Sequence, residues 1–297
     1  MNPILRPFLN EDRGLRFFWR AAIFFALVTF GLPALTGPLF LKAFNALQLK
    51  ADLNAQAIAF EEGMNLVFAL VCTGIFALAE RRGIGSYGLP IARALKWETF
   101  EGFIAGLVLA GAVAIGMILL GGMQVKGLAL TGGALAASGL AWLGANILIG
   151  LAEELWFRAY FLRALWRSIG FWPAAIVIAL VFAAMHYFFK EGENVWDVIT
   201  LIGVSLVLCF TVIRTGTLWF AVGFHIAYDF MQFFVIGTRN GGLTPVGRMF
   251  DVTFNGPAWV NGGALGTEAS FLMYPALIAL WLYVWARYPR AAQPMTA

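Results

Sequence analysis

Six ionisable residues lie inside long apolar stretches of this 297-residue sequence, and two of them are its only histidines. An ionisable side chain at the centre of a membrane-spanning helix costs about 2.5–3.5 kcal/mol, so such residues are retained mainly for function. They are therefore the first candidates for chemistry. The six residues are Glu153, Glu154, Arg158, His186, His225 and Asp229.

The spacing of these residues predicts two pairs on helical faces. Glu154 and Arg158 are four residues apart, so on a helix they share one face and can form an ion pair. Glu153 points about 100° away from Glu154, which leaves its carboxylate free for another task. His225 and Asp229 are also four residues apart and stack on one face of their own helix.

Carboxylates and imidazoles that converge in a dry pocket have two chemical uses. In the first, Glu153 deprotonates a water molecule while the imidazoles hold or polarise its target. In the second, the same donors bind a divalent metal such as Zn²⁺, and a carboxylate serves as the base. Either use hydrolyses an acyl bond, and no serine or cysteine nucleophile has a nearby base, which disfavours covalent catalysis. The candidate metal ligands are Glu153, His186, His225 and Asp229.

The composition describes a membrane protein. Hydrophobic residues make up 61% of the chain and charged residues 12%, against about 25% charged in soluble domains. Apolar runs of 18 or more residues recur along the chain, as in transmembrane helices. We therefore expect a single all-α membrane domain over residues 1–297, surrounded by the lipid bilayer. The net charge of +4 requires no nucleic-acid partner.

Hydropathy and charge together predict the topology of the chain. About eight spans are expected, at residues 18–41, 60–79, 101–122, 134–163, 171–189, 197–213, 217–237 and 270–287. This arrangement places 13 Arg and Lys residues of the loops on the side of the N-terminus and six on the other side. The positive-inside rule then puts both termini in the cytoplasm, with 1–17 as a cytoplasmic segment before an uncleaved signal-anchor. The protein is expected in a plasma membrane, such as a bacterial inner membrane.

Two connecting segments also carry expectations. Segment 81–100 is predicted to form a turn and a short amphipathic helix on the cytoplasmic surface. Segment 238–269, which is rich in Gly, Asn and Pro, is expected to be either an extracytoplasmic loop or a cap folded over the bundle. Glu268, near its end, is interpreted as a loop or helix-start residue, and a role in lining the site from the cap is the less favoured alternative.

Three short motifs follow one another on successive apolar helices. The runs EELWFR (153–158), FAAMH (182–186) and HIAYD (225–229) match the patterns E-E-x-x-x-R, F-x-x-x-H and H-x-x-x-N/D. In this order they resemble the CPBP family of intramembrane proteases. That family includes the type II CAAX prenyl endopeptidases and bacterial proteins linked to bacteriocin processing and self-immunity. The resemblance covers about residues 80–290.

The resemblance implies a catalytic role for five residues. Glu153 would be the general base for the attacking water, with His186 beside it. His225 and Asp229 would stabilise the oxyanion, or ligate a metal if one is present. Glu154 is the fifth member of this catalytic set.

The remaining motif residues are expected to support the site. Arg158, paired with Glu154, and Phe182 would have structural or orienting roles. Asp229 departs from the family, because the CAAX endopeptidases typically have Asn at this place. An ionised Asp cannot donate a hydrogen bond to an oxyanion, so Asp229 must be protonated, orient His225 or bind a metal.

The favoured function is therefore an intramembrane endopeptidase that acts on a membrane-associated peptide or protein from the cytoplasmic side. A transporter in which Glu and His form a proton or cation relay is the alternative from another class. A non-catalytic immunity or scaffold member of the same fold is a third. On the plainest interpretation, Glu154 and Arg158 are only a buried pair and the histidines only interhelical hydrogen-bonders.

Overall fold

The computed structural model describes residues 8–10, 14–192 and 194–289. The structure is 73% helical with almost no sheet, which confirms the predicted all-α membrane bundle. The described residues contain seven helices that are long and apolar enough to cross a membrane. They are α1 (Phe17–Ala46), α2 (Ala55–Ala79), α3 (Trp97–Leu119), α4 (Gly132–Ile169), α5 (Phe171–Phe189), α6 (Val195–Thr215) and α7 (Trp219–Ile236).

The eighth predicted span, 270–287, is shorter than expected. It forms a 15-residue helix, Met273–Arg287 (here α9). At 1.5 Å per residue this helix is about 22 Å long, whereas the hydrocarbon core of a bilayer is about 30 Å thick. By length, seven helices therefore meet the requirement for a crossing where about eight were expected. The location of both termini in the cytoplasm depends on the eighth crossing and stays a prediction.

Three of the long helices contain a turn of π-helix. These turns are Leu27–Gly31 in α1, Leu155–Phe161 in α4 and Met231–Ile236 in α7. A π-turn inserts an extra residue into the helix and is frequent at functional sites. The second begins directly after Glu154, and the third begins two residues after Asp229.

Helices α3 and α7 pack backbone against backbone through glycines. A Cβ atom added to Gly102 would collide with the carbonyl oxygen of Phe220, and one added to Gly223 would collide with that of Thr99. Both helices therefore contribute a glycine that permits the contact. This packing fixes the position of α7, the helix that carries His225.

One end of the bundle, here called the arginine-rich face, is formed by residues 14–20, 80–101, 163–170, 214–219 and 287–289. Arg20 forms an ion pair with Glu80 at 3.1 Å. Arg163 donates a hydrogen bond to the Ser86 carbonyl at 2.8 Å. The predicted amphipathic helix within 81–100 is wrong, because this segment forms two short 3-10 turns, Ile84–Tyr87 and Ile91–Arg93, before α3 begins.

The opposite end, here called the capped face, is formed by residues 47–54, 120–131, 190–192, 194 and 238–272. Strands β1 (Met123–Leu128) and β2 (Phe250–Phe254) pair antiparallel there. The short helix α8 (Ala258–Asn261) and a 3-10 turn (Gly266–Ala269) follow. Of the two expectations for segment 238–269, the structure favours a cap folded over the bundle.

Hydrogen bonds attach the cap to the helices beneath it. The Val246 backbone N–H donates to the Leu53 carbonyl at 2.8 Å. The Trp142 indole N–H in α4 donates to the Val246 carbonyl at 3.0 Å. Trp142 is fully buried, so its N–H needs an internal partner, and the cap provides one.

Candidate active site

The two ring nitrogens of His225 contact three carboxylates from two helices. Nδ1 lies 2.9 Å from Glu154 Oε1. Nε2 lies 3.6 Å from Glu153 Oε2 and 3.5 Å from Asp229 Oδ2. A carboxylate can only accept, so the Glu154 contact makes Nδ1 the donor and directs Nε2 towards the other two carboxylates. The motif residues of α4 and α7 thus meet at one imidazole.

Glu154 and Arg158 form the expected ion pair within α4. Arg158 Nη1 donates to Glu154 Oε1 at 2.6 Å, and both side chains are 0% exposed. Arg158 Nη2 donates to the Ser205 hydroxyl of α6 at 3.0 Å. The pair also connects α4 to α7, because Glu154 Oε1 accepts hydrogen bonds from both Arg158 and His225.

Glu153 keeps one carboxylate oxygen unpaired. Oε2 is buried and accepts no hydrogen bond from the described residues. The Glu153 side chain as a whole is 19% exposed and lines a cavity. The side chains of Glu153 and Glu154 therefore point in different directions, as predicted. The unpaired oxygen of Glu153 is free to accept a hydrogen bond from a bound water.

His186 and Phe182 are stacked on one face of α5. His186 Nδ1 lies 2.9 Å from the Phe182 carbonyl oxygen, and the two ring centroids are 4.4 Å apart. Because a carbonyl can only accept, Nδ1 is the donor, and Nε2 remains for other partners. Phe182 also lies beneath the Arg158 guanidinium, 5.5 Å from ring centroid to Cζ. It therefore joins the histidine of α5 to the ion pair of α4.

A cavity of about 230 Å³ joins these groups. Its polar lining includes four of the predicted catalytic residues, Glu153, His186, His225 and Asp229. A water molecule requires only about 10–15 Å³ of such volume, so the cavity has room for water and part of a substrate. The fifth residue, Glu154, lies behind His225 and is fully buried.

Three further charged residues line the cavity, and sequence reasoning did not place them there. They are Glu62 of α2, Lys190 at the end of α5 and Glu268 of the cap. Glu62 follows Glu61 in the apolar run of α2, so the argument used for Glu153 and Glu154 applies to it too. It was missed because it lies at the very start of the predicted span 60–79, whereas the helix begins seven residues before it, at Ala55. Glu268 was interpreted as a loop residue.

Glu268 fastens the cap across the cavity. Its Oε2 forms an ion pair with Lys190 at 3.1 Å, and its Oε1 accepts a hydrogen bond from Gln232 at 3.2 Å. Burial acts to raise the pKa of Glu268, but Lys190, His186 and these hydrogen bonds together hold it below its ordinary value. Glu268 is therefore ionised when it closes the cap.

The cavity borders the capped face of the bundle. Leu53, Lys190, Asn240 and Glu268 all line it, and all belong to the segments that form that face. The sequence predicted access from the cytoplasmic side and, separately, that the arginine-rich segments are cytoplasmic. These two expectations conflict in this structure, because the cavity and the arginine-rich face lie at opposite ends.

The predicted metal ligands do not form a ready metal centre. Within the described part of the chain, no three His, Cys, Asp or Glu side chains are arranged to hold a metal ion. The donor set as it stands therefore does not fit a zinc site, and zinc binding stays a prediction.

A comparison with protein families matches the part of the chain that carries these motifs. Residues 134–231 match a family model described as type II CAAX prenyl endopeptidase, Rce1-like. The protein YyaK of Bacillus subtilis (strain 168), described as uncharacterized, is 30% identical over 150 residues, which are 48% of this chain and 49% of YyaK. The chain thus spans about half the length of this curated relative. No solved structure matches the chain significantly.

Proposed function

The chain resembles the Rce1-like family over residues 134–231, as its three motifs predicted, and on this premise we propose that it is an intramembrane endopeptidase. It would hydrolyse a peptide bond of a membrane-associated protein or peptide. The observation that carries the proposal is the unpaired Oε2 of Glu153 beside His225 Nε2 in a cavity. A buried base next to a donor is the minimum that water-driven amide hydrolysis requires.

In the first step, Glu153 activates the attacking water. A water that donates to Glu153 Oε2 lies beside His225 Nε2, because these two atoms are 3.6 Å apart. Glu153 takes a proton as the water oxygen bonds to the carbonyl carbon of the substrate. The π electrons of the carbonyl move onto its oxygen, which becomes the oxyanion.

In the second step, the protonated His225 ring donates its Nε2–H to the oxyanion. The intermediate then collapses, the C–N bond breaks and Glu153 returns its proton to the leaving nitrogen. The products are a carboxylic acid and an amine, so no covalent enzyme intermediate or further reactant is needed. His186, which lines the same cavity, would bind the substrate carbonyl or the attacking water through Nε2.

The other motif residues act by positioning. Glu154 fixes the orientation of His225 through Nδ1, and Arg158 fixes Glu154. Asp229, 3.5 Å from Nε2, orients the Nε2–H before the substrate arrives. Such supporting contacts commonly affect activity by 10- to 100-fold in comparable His–carboxylate arrangements.

The alternative of a proton or cation relay receives less support. A relay needs polar groups that continue from the cavity to the other end of the bundle. Beyond Arg158, towards the arginine-rich face, the described side chains of α4 are mainly buried and apolar, including Phe161, Leu162 and Leu165. This arrangement suits a closed reaction chamber better than a conducting path.

The proposal is tested by peptide cleavage in detergent. Wild type, incubated with a mixed peptide library, is expected to cleave, whereas Glu153→Gln should lose about 10²- to 10⁴-fold of the rate with its general base. The matched control is Glu191→Gln, which makes the same change at an exposed residue of the capped face and should leave the rate unchanged. Equal rates in Glu153→Gln and wild type would refute Glu153 as the base.

A further inference from the structure

We propose that the substrate enters the cavity from the capped face and that this face is extracytoplasmic, an inference that rests on the proposed function. The substrate class is then narrower than any membrane-associated peptide. It consists of peptides or protein segments exposed at the outer surface of the membrane rather than cytoplasmic tails. Three independent features of the structure support this proposal.

The first feature is the composition of the cavity wall. Lys190 and Asn240 belong to the loops at the capped face, and both line the cavity. The Lys190 and Glu268 side chains, 20% and 12% exposed, are in contact with solvent as well as with the interior. The Lys190–Glu268 ion pair, which fastens the cap, therefore lies at the boundary between the cavity and the outside, between the end of α5 and the cap.

The second feature is a closed layer beneath the cavity. Glu154, Arg158 and Ser205 are each 0% exposed, and Arg158 donates hydrogen bonds to both of the others. Towards the arginine-rich face, Tyr160 and Phe161 follow in the π-turn of α4 at 1% and 4% exposure. A peptide that came from the arginine-rich face would have to break this layer, including a buried ion pair.

The third feature is the distribution of positive charge. Ten described Arg and Lys residues lie on the arginine-rich face and six on the capped face. The rule that cytoplasmic loops are enriched in Arg and Lys then assigns the arginine-rich face to the cytoplasm. The ten are Arg16, Arg20, Arg81, Arg82, Arg93, Lys96, Arg163, Arg167, Arg214 and Arg287; the six are Lys42, Lys50, Lys126, Lys190, Arg239 and Arg248.

Aromatic residues place the entrance near the membrane surface. Tyr187, Trp196 and Trp259 are each about half exposed, and Tyr187 precedes Lys190 at the entrance by less than one turn. Exposed Trp and Tyr side chains are enriched at the level of the lipid headgroups. A peptide lying along the outer surface of the membrane would thus be at the height of the entrance.

The experiment labels single cysteines in intact bacterial cells. Native Cys72 and Cys209, both buried, are first replaced by Ala. His186→Cys then reports the inside of the cavity and Asn240→Cys its entrance, while the exposed Arg167→Cys reports the arginine-rich face. Each variant is treated with a membrane-impermeant maleimide and, in parallel, with a permeant one that measures the total reactive cysteine.

The expected result is that the impermeant reagent labels both cavity cysteines in intact cells and labels Arg167→Cys only after the cells are permeabilised. The opposite pattern would overturn the assignment of the faces. A His186→Cys variant that neither reagent labels, while Asn240→Cys is labelled, would overturn the entrance. Labelling needs no activity, so a failure of wild type to cleave peptides would refute the proposed protease while leaving this result intact.

Discussion

The Arg158 guanidinium is a fully buried charge that joins α4 to α6. Arg158→Met keeps much of the side-chain volume but removes the cation and both of its hydrogen bonds, at 2.6 Å to Glu154 and 3.0 Å to Ser205. Since both members of the pair are 0% exposed, Glu154 is left as a buried carboxylate whose remaining hydrogen-bond partner among the described residues is His225. Breaking such a pair from one side costs about 3–5 kcal/mol of unfolding free energy.

The double variant Glu154→Gln/Arg158→Met separates the charge from the packing. A neutral amide at 154 can still accept from His225, so the cost of an unpaired charge disappears. The double variant should then lose only about 1–3 kcal/mol, the usual penalty for buried polar groups with unmet hydrogen bonds. The single variant is therefore expected to be less stable than the double.

Reversible unfolding in mixed detergent micelles measures both free energies. Arg81→Met, the same change at an exposed position of the arginine-rich face, is the control and should have a much smaller effect. If Arg158→Met unfolds with nearly the wild-type free energy, or if the double variant is no more stable than Arg158→Met, the reasoning about a buried charge is refuted.

Four further predictions follow from the site and its frame. Asp229→Asn, which installs the residue typical of the CAAX endopeptidases, should retain peptide cleavage, and complete loss would contradict a purely orienting role. Gly223→Ala should force α3 and α7 apart and cost about 1–3 kcal/mol with loss of cleavage, whereas Gly144→Ala, which meets no atom within 4 Å, should do neither. Lys190 and its neighbours lower the pKa of Glu268 from its ordinary 4.5. The contribution of ionised Glu268 to cap stability should therefore be complete above pH 4.5 and lost as pH falls through the lowered pKa. Limited proteolysis of the cap as a function of pH measures this loss, and the Glu268→Gln variant should not show the pH dependence. Metal analysis of the purified protein tests zinc, and one zinc per chain that disappears in His225→Ala would show that the site rearranges to bind it.

The site was predictable largely because helical spacing fixes direction. The four-residue separations correctly predicted the contacts of Glu154 with Arg158 and of His225 with Asp229. The single-residue offset correctly predicted that Glu153 would diverge from Glu154. Spacing within one helix carries this information because 3.6 residues make a turn.

Contacts between helices were beyond the reach of the sequence. Nothing in the spacing indicates that Glu154 accepts from His225, 71 positions away. The contribution of Glu62 and Glu268 likewise depends on how α2 and the cap pack, which no local pattern encodes. The short length of α9 and the 3-10 turns of segment 81–100 were missed for another reason. Hydropathy depends on the composition of a segment, and it indicates poorly where a helix begins or ends.

The glycine contact between α3 and α7 has a consequence for the range of substrates. In the most apolar 18-residue stretch of each helix, 78% of the residues of α7 are buried, compared with 39% of those of α5. The cavity thus has one tightly packed wall, which carries His225 and Asp229, and one more exposed, adjustable wall, which carries His186. Substitutions that change the preferred peptide would be tolerated best on the adjustable wall. We therefore expect related proteins to differ in peptide preference through residues of α5, while the residues of α7 that carry the proposed chemistry stay the same.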